Sequence, residues 1–402
     1  MRQYSHQTAY ALQEAGMLKK YFTSIWYKPH QFPYSMIAFF PKSLGQRIQF
    51  ELKKRYFEPL DPALVAQIPI YELLGQTIKI FSKKKYGKLI YWINRHFDEK
   101  VKQLIRNIEF DIFIGYESSS LLCFQRAKKR GKVTILDLAI VHHQAKQRIF
   151  SDFEGRHEGK NNRQEDEINS LKDKELELAD YILVGSEFVK QSLLEVNIPE
   201  GKIIKIPYGF EEKIFTPKQI YQRSNPFKIL YAGSITRRKG VQYLLQAFKE
   251  LNLKPAELIL IGGMGEDGEE ILSAYRNFYK YLPFLNQEDL AKYHHASDIF
   301  VFPTLLEGFA QTVLEAMACG TPVITTPHAG FNEIVSDHFN GFLVPTMNVG
   351  ELKEKIRFFY DNRDQIEMMG RNARKVAENY SWKQYRERIR KFLGKIADPQ
   401  LF

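Results

Sequence analysis

Glu307 and Glu315 are separated by seven residues, across a predicted junction of strand, loop and helix. The preceding run 298–303 is short and apolar and ends in proline, which predicts a buried parallel strand. Gly308 allows a tight turn, and a helix is predicted from about 310 to 320. The first amides of that helix can bind an anion. One carboxylate can therefore accept hydrogen bonds from sugar hydroxyls beside a phosphate held by backbone amides.

A second loop carries the positive charge that a diphosphate needs. The predicted strand 228–232 is followed by Gly233 and Ser234, and then by the basic run Arg237, Arg238 and Lys239. A lysine ammonium and a helix N-terminus together can neutralise a departing diphosphate. A solvated basic turn is the structural alternative for this run.

A glycine-rich string, 262–268, follows the predicted strand 257–261 and includes Gly263. Its G-x-G-x-x-G spacing is typical of dinucleotide sites. The string does not follow the first strand of its domain, and no acidic residue ends the next strand at the expected distance. We therefore interpret it as a tight turn beside a nucleotide.

His142 and His143 follow the predicted strand 132–137. A histidine here can donate a hydrogen bond to a sugar hydroxyl or help to position an acceptor. The pair could also hold a metal ion, but no third ligand stands at helical or strand spacing. A structural role is the other alternative for His142, and a structural role is expected for His294 and His295. We expect no metal.

The segment 303–322 resembles the Glu-x7-Glu signature of the retaining glycosyltransferases of family 4, which have the GT-B fold. The resemblance implies that Glu307 lies by the transferred sugar and that Glu315 binds the ribose of the nucleotide. The loop 233–240 is similar to the phosphate loop of the family, with Lys239 in the lysine position. Ser234 departs from it, because the family often has arginine there, and Arg237 or Arg238 could supply that charge.

The resemblance implies catalytic roles for Glu307, Lys239 and His142, with His142 facing the donor sugar. It implies that the nucleobase meets the segment 281–284, and that Glu333 holds the loop 325–330 in place. The expected donor-binding residues are Glu315, Gly233, Ser234, Arg238, Gly308, Phe309, Ala310, Gln311, Thr312, Gly263 and Phe284.

The length of 402 residues predicts two domains, and 44% apolar with 26% charged residues is typical of a globular chain. Two cysteines are too few for a disulfide framework. No apolar run approaches the roughly 18 to 20 residues of a membrane span, and the N-terminus lacks the apolar core of a signal peptide. We expect a cytoplasmic protein.

The net charge of +11 is unevenly distributed. Residues 1–132 hold 23 Lys and Arg against 10 Asp and Glu, in clusters such as 53–55, 83–85 and 128–130. This excess could attract anionic lipid headgroups, a phosphorylated acceptor or nucleic acid, or it could mark solvated helix faces. Nucleic acid is not expected, since no recognition motif accompanies the charge. Peripheral contact with the inner face of a membrane is therefore an expectation for this part of the chain.

Short apolar strands alternate with helices, which predicts parallel sheets flanked by helices. Strands are expected at 111–116, 132–137, 181–185, 202–206, 227–232, 257–261, 298–302 and 322–325. Residues 30–100 are expected to be helical. The resemblance implies a GT-B α/β fold with two doubly wound Rossmann-like domains facing across a cleft. We expect an acceptor domain over 1–216, a nucleotide-sugar domain over 217–379, and a final helix in 380–402 that packs on the first domain.

Proteins that this chain resembles open with a strand and a glycine-bearing loop. Here, residues 7–16 already predict the first helix and 21–26 the next strand. We therefore expect the first strand to be missing, either from this chain or through a late start codon, with a cost in stability or activity.

The resemblance implies transfer of a sugar from a UDP- or GDP-linked donor to a glycan, lipid-linked or small-molecule acceptor, in polysaccharide or glycoconjugate biosynthesis. It implies no cofactor and no required metal. Two alternatives stay open: a catalytically silent nucleotide-sugar-binding partner of another transferase, and an epimerase of the same fold.

Overall fold

The computed structural model describes residues 4–28, 34–41, 45, 48–49, 52, 55–81, 83–154, 163–221 and 224–397. Lysines 53 and 54 of the first basic cluster lie outside these residues, as do the side chains of the cluster 83–85. The chain divides into two compact units, which are Met1–Leu138 with Lys160–Leu183 and Arg386–Phe402, and Ala139–Gly159 with Val184–Tyr385. The boundaries expected at 216 and 379 stay a prediction.

Twelve strands lie in the described residues. They are β1 (Tyr21–Thr23), β2 (Val65–Gln67), β3 (Ile112–Tyr116), β4 (Val133–Leu138), β5 (Tyr181–Val184), β6 (Ile203–Lys205), β7 (Phe227–Ala232), β8 (Ala256–Ile261), β9 (Lys280–Leu282), β10 (Ile299–Phe302), β11 (Val323–Thr325) and β12 (Gly341–Leu343).

Fourteen helices accompany them in the same residues. They are α1 (Tyr4–Glu14), α2 (Ile70–Phe81), α3 (Lys83–Leu104), α4 (Leu121–Lys129), α5 (His143–Glu154), α6 (Arg163–Leu178), α7 (Glu187–Leu194), α8 (Val241–Leu251), α9 (Gly268–Ser273), α10 (Gln287–Ala296), α11 (Gln311–Ala318), α12 (Val349–Asp361), α13 (Asp364–Ala377) and α14 (Trp382–Ala397). None of these described helices is both long and apolar enough to cross a bilayer.

The first unit contains two groups of strands. β1 pairs with β2 in parallel, with Tyr21 opposite Val65. β3, β4 and β5 lie side by side in that order, and β3 pairs with β4 in parallel. Helix α14 contributes to this unit through Arg386 and Arg390, which both form ion pairs with Glu14 at the end of α1.

The second unit contains a six-stranded parallel sheet in the order β12-β11-β10-β7-β8-β9. β7 begins with Phe227 opposite Ala256 and ends with Ala232 opposite Ile261, and its side chains are almost all buried. This burial follows from its apolar sequence, since a parallel sheet is covered on both faces. Helix α8 packs an apolar stripe that includes Leu244 and Phe248 into the core.

The strand order changes direction between β7 and β10. From β7 the chain proceeds outwards through β8 to β9, whereas from β10 it proceeds outwards through β11 to β12. In open α/β sheets, ligands bind outside the carboxyl ends of the strands at such a switch point. The loops after β7 and β10 are therefore where a ligand site is expected.

Candidate active site

The loops at the switch point carry site residues that are predicted from the sequence. The loop after β7 contains a 3-10 turn, Arg237–Lys239, and leads into α8. The loop after β10 contains Glu307 and leads into α11. Leu305 N–H donates a hydrogen bond to Arg238 O at 2.9 Å, so the two loops are joined by their backbones.

Glu307 accepts hydrogen bonds from two cations of the neighbouring loop. Lys239 Nζ and Arg238 Nη1 both donate to Glu307 Oε1. Arg238 Nη1 also donates to Leu306 O at 2.6 Å. One carboxylate and two cations thus form a single cluster at the mouth of the switch point, and charge-assisted bonds of this kind are the strong ones.

Lys239 is buried, with 9% of its surface exposed. Its Nζ lies 5.3 Å from the centroid of the Phe302 ring, at the end of β10. Burial lowers the pKa of Lys239, and the Glu307 carboxylate opposes that effect. The ammonium is therefore held in a poorly hydrated place, where its attraction for an anion is strong.

Two glycines allow the backbones to approach closely here. Gly240 has φ +71°, and a Cβ on it would lie 1.8 Å from Pro303 O. A Cβ on Gly308 would lie 1.8 Å from Ala139 O and 3.0 Å from Ile140 Cα. Only glycine is compatible with these contacts. Gly308 therefore brings the loop of Glu307 against the segment that leads to His142.

The loop of Glu307 is held by further hydrogen bonds. Ser186 Oγ donates to Gly308 O at 2.5 Å. Glu307 N–H donates to His328 O at 2.9 Å, and His328 Nδ1–H donates to Leu305 O at 2.9 Å. Neither Ser186 nor His328 is among the site residues predicted from the sequence. No motif marks them, although His328 lies within the loop 325–330 that Glu333 is expected to hold in place.

Glu315 lies in α11 and is buried. Burial raises the pKa of its carboxyl to about 8, and the hydrogen bond from Gln287 Nε2, at 3.5 Å, opposes this only weakly. At neutral pH the group is therefore largely protonated in this structure. A partner that donates hydrogen bonds to the carboxylate, such as a pair of hydroxyls, would lower that pKa again.

The start of α11 offers mainly backbone groups. The Phe309 ring is buried, 4.9 Å from Phe331 and 5.7 Å from Tyr208. Ala310 N–H donates to Ala329 O at 3.0 Å, and Gln311 Nε2 donates to Gly209 O at 3.2 Å. Thr312 follows in the first turn and is half-buried. The amides of this turn point out of the helix towards the loop of Glu307.

The loop after β7 lies beside the glycine turn after β8. Gly233 N–H donates to Ile261 O at 2.9 Å, and Ile235 N–H donates to Gly263 O at 2.9 Å. Ser234 is half-buried and accepts a hydrogen bond from Tyr231 Oη on its carbonyl, at 2.8 Å. The structure therefore brings Gly233, Ser234 and Gly263 together.

Arg237 and Phe284 have surroundings different from those of Gly233, Ser234 and Gly263. The Arg237 guanidinium forms an ion pair with Glu270 at 2.5 Å, so that Arg238 is the arginine of this loop directed at Glu307. Phe284 follows β9 and is 46% exposed.

His142 belongs to the second unit and is buried. Its backbone N–H donates to Ser192 Oγ at 3.0 Å, and the backbone N–H of Gln144 donates to its ring Nδ1 at 3.3 Å. Because Nδ1 accepts this bond, the proton of the neutral imidazole lies on Nε2. His142 precedes α5, and its ring centroid lies 4.1 Å from that of His143.

Glu333 and His294 are two of the residues for which structural roles are predicted. Glu333 forms an ion pair with Lys205 at 2.5 Å, which ties the segment after Gly330 to β6. His294 is fully buried, and burial lowers its pKa to about 3. It is therefore neutral and part of the core at physiological pH.

Residues 212–376 match the family model described as glycosyl transferases group 1. An uncharacterized glycosyltransferase of Methanocaldococcus jannaschii is 29% identical over 313 residues, which are 72% of this chain and 76% of that protein. This match extends well beyond the family model into the N-terminal part of the chain.

Two solved structures share the fold. A glycosyltransferase from Rickettsia africae covers 98% of this chain and 94% of its own, with TM-score 0.65 and 17% identity. Anabaena HepE, in complex with UDP, covers 74% of this chain and 82% of its own, with TM-score 0.60 and 17% identity. The α/β architecture with two Rossmann-like domains is therefore the GT-B fold, as expected. Residues 212–376 are therefore identified as a domain of the group 1 glycosyltransferases.

Proposed function

We propose that this glycosyltransferase retains the anomeric configuration and transfers a sugar from a UDP- or GDP-linked donor to a glycan, lipid-linked or small-molecule acceptor. The observation that carries the proposal is the cluster of Glu307 with Lys239 and Arg238 at the switch point of the second sheet. In this proposal Glu307 is the acid at the sugar, and Lys239 and Arg238 are the cations for the diphosphate.

The proposed donor site uses each part of this geometry. The diphosphate takes the place of the Glu307 carboxylate at Lys239 and Arg238, and the amides at the start of α11 point at it. The Glu315 carboxyl accepts hydrogen bonds from the ribose, and Glu307 then lies by the sugar. Two side-chain cations neutralise the leaving group, so the proposal includes no metal ion.

The reaction that follows is a substitution on one face of the sugar. The bond from the anomeric carbon to the phosphate oxygen breaks, and Lys239 and Arg238 stabilise the negative charge that develops. The acceptor oxygen bonds to the same face, and its proton passes to the departing phosphate oxygen. Nε2–H of His142 can donate to a sugar hydroxyl during this step. Roles for Glu307 and His142 at the sugar are part of the proposal.

The donor and the acceptor are supported to different degrees. The complex of HepE with UDP is evidence for that protein, and it makes uridine nucleotides the first to test here. For the acceptor, the excess of basic residues in 1–132 favours an anionic lipid-linked or phosphorylated molecule. Peripheral contact with the cytoplasmic face of a membrane belongs to the same proposal.

A panel of nucleotides and nucleotide-sugars tests the donor by thermal shift. A ligand at 100 times its dissociation constant stabilises the fold by about 2.7 kcal/mol, which such an assay detects. The best ligand is then incubated with the protein in EDTA, and free nucleotide is measured. Slow release without acceptor supports the proposal. Binding without release, with or without added acceptor extract, would instead favour the silent partner, and release only after Mg²⁺ is added would contradict the metal-independent route.

A further inference from the structure

The short 3-10 helix that begins at Tyr34 and ends at Phe39 belongs to the first unit and is buried on one side only. Its Tyr34 and Ile37 are buried, whereas Met36 is 52% and Phe39 is 88% exposed. Phe40, directly after the helix, is 48% exposed. Among the residues that the structure describes, no large apolar side chain is more exposed than that of Phe39. We call Met36, Phe39 and Phe40 the apolar tip.

The geometry of a 3-10 helix explains this division. Side chains three positions apart eclipse one another in such a helix. Tyr34 and Ile37 therefore form one ridge, which packs in a cluster that includes Ile25. Met36 and Phe39 form a second ridge, about 120° away around the helix axis. The second ridge is exposed because the first one is directed into the core.

The buried ridge fixes the position of the apolar tip. The Tyr34 ring lies 5.4 Å from that of Tyr27, and its Oη donates a hydrogen bond to Gln67 Oε1 at 2.8 Å. Phe40 N–H donates to Ile37 O at 3.1 Å, so the backbone is also held where it leaves the helix. The tip is therefore presented on an ordered turn, and less conformational entropy is lost when it binds.

The sequence around the tip is strongly basic. Residues 28–55 hold six Lys and Arg but one acidic residue, Glu51. Exposed apolar side chains in a basic segment are typical of sites that bind anionic membranes. The lipid headgroups attract the cations, and the boundary of the acyl chains accepts the apolar groups. The composition therefore favours an anionic bilayer as the partner of the tip.

A protein partner fits the tip less well. A stable protein interface buries about 800 Å² on each partner, and its core is depleted in lysine. The tip consists of three side chains at the end of a helix of six residues, which is small for such an interface. Three side chains are sufficient to enter a bilayer between headgroups, since the surrounding charge supplies the second signal for binding.

We propose that the apolar tip inserts into the headgroup region of an anionic membrane. This inference rests on the membrane contact in the proposed function, and it assigns that contact to Met36, Phe39 and Phe40. Insertion would hold the first unit at the surface in which a lipid-linked acceptor lies.

A triple variant of the full chain tests the proposal, with Met36→Ser, Phe39→Ser and Phe40→Ser. Its control replaces three exposed apolar side chains of the second unit, by Ile220→Ser, Phe339→Ser and Met368→Ser. Co-sedimentation is measured with vesicles of phosphatidylcholine alone and with vesicles of phosphatidylcholine and phosphatidylglycerol in equal parts.

The unaltered chain and the control should bind the mixed vesicles, and the tip variant should bind them at least about tenfold more weakly, because it buries less apolar surface. Phosphatidylcholine vesicles should bind the unaltered chain at least about tenfold more weakly than mixed vesicles, because they lack the anionic charge. Equal binding of the tip variant and the unaltered chain, or no binding of the unaltered chain, would overturn the proposal. Equal binding to both kinds of vesicle would overturn its anionic character.

A dye at position 39 tests insertion itself. Cys123 and Cys319 are the two cysteines of the chain and both are buried, so Phe39→Cys adds an exposed thiol that a polarity-sensitive dye can label. Its emission should shift to the blue when mixed vesicles are added. An unchanged spectrum of the bound protein would overturn insertion, and a dimer in solution that the tip variant lacks would assign the tip to a second copy instead.

Nucleotide release separates this inference from the transfer reaction. Without vesicles, the tip variant should release nucleotide from the best donor at the rate of the unaltered chain, since the tip is no part of the site in the second unit. Absence of release in both chains would contradict the proposed transfer, and the vesicle and dye measurements would still decide insertion.

Discussion

Lys239 and Glu307 lie 68 positions apart in the sequence and form an ion pair where the two loops of the switch point meet. The lysine is buried and the carboxylate is largely covered, with 18% of its side chain exposed. An anion that binds at Lys239 must therefore compete with Glu307 for the ammonium. This competition links the binding of the leaving group to the position of the acid expected at the sugar.

Replacing either member of the pair should abolish most of the activity. We expect Glu307→Ala and Lys239→Ala each to reduce turnover by about 100-fold or more, because each removes a contact to charge that develops in the transition state. Nucleotide release from the best donor is the measurement. Lys292→Ala is the control, since the side chain of this lysine is 75% exposed and pairs with Asp289 of the same helix. Rates like those of the unaltered chain in either active-site variant would refute these site roles.

The buried carboxyl of Glu315 should make stability depend on pH. Its pKa is about 8 in the fold and 4.5 as its ordinary value, so the folded state binds more protons between these limits. Its contribution to stability is complete below pH 4.5 and is lost as the pH rises through 8. As the pH rises from 5 to 9, the free energy of unfolding of the chain, measured with urea, should therefore fall relative to that of the Glu315→Gln variant. Glu288→Gln, at an exposed position, should not alter the pH profile. Parallel profiles for the chain and the Glu315 variant would contradict the buried state.

A methyl group at position 308 should displace the backbone at the site. In Gly308→Ala the Cβ would collide with Ala139 O, so that one of the two segments must move. We expect a loss of about 1–3 kcal/mol, the usual cost of overpacking, and a fall in turnover of more than tenfold. Thermal unfolding and nucleotide release are measured together. Gly201→Ala is the control, since nothing lies within 4 Å of a Cβ there. An active and equally stable Gly308 variant would show that the contact with Ala139 is unnecessary.

An arginine at position 234 should strengthen nucleotide binding. Ser234 is half-buried in the loop after β7, close to the 3-10 turn of Arg238 and Lys239. If the diphosphate binds there, Ser234→Arg adds a bidentate cation and should lower the dissociation constant for UDP or GDP by about tenfold, or 1.4 kcal/mol. Gln246→Arg adds the same charge on the exposed side of α8 and should have no such effect. An equal gain in both variants would indicate a general effect of net charge.

The long apolar strands were predictable because their residues are buried on both faces. β7 has the predicted bounds, and β8 and β10 differ from prediction by one residue at the start. The predicted strand 21–26 is shorter, ending at Thr23. β2, β9 and β12 were not predicted. Each has three residues, too few for a period to show, and β2 lies in the stretch 30–100 that was expected to be helical.

The candidate site was predictable in its residue types but not in its pairings. Arg238 pairs with Glu307, and Arg237 pairs with Glu270. These pairings depend on the direction in which each arginine side chain leaves a short turn. Residue spacing does not contain that information. The orientation of Phe309 was not predictable either: its ring is buried and lies 4.9 Å from that of Phe331. Ser186 donates a hydrogen bond to Gly308 O, which lies 122 positions later in the sequence, and only folding brings these two residues together.

The central claim is that Glu307 serves the transfer step while Glu315 serves nucleotide binding. The most direct test measures both the dissociation constant for the nucleotide and its release from the nucleotide-sugar, in the unaltered chain, Glu307→Ala and Glu315→Ala. We predict that Glu307→Ala binds nucleotide at least as tightly as the unaltered chain, because Glu307 no longer competes for Lys239, but cleaves the nucleotide-sugar at least about 100-fold more slowly, whereas Glu315→Ala fails to bind nucleotide. Normal release by Glu307→Ala, or tight binding by Glu315→Ala, would contradict this account.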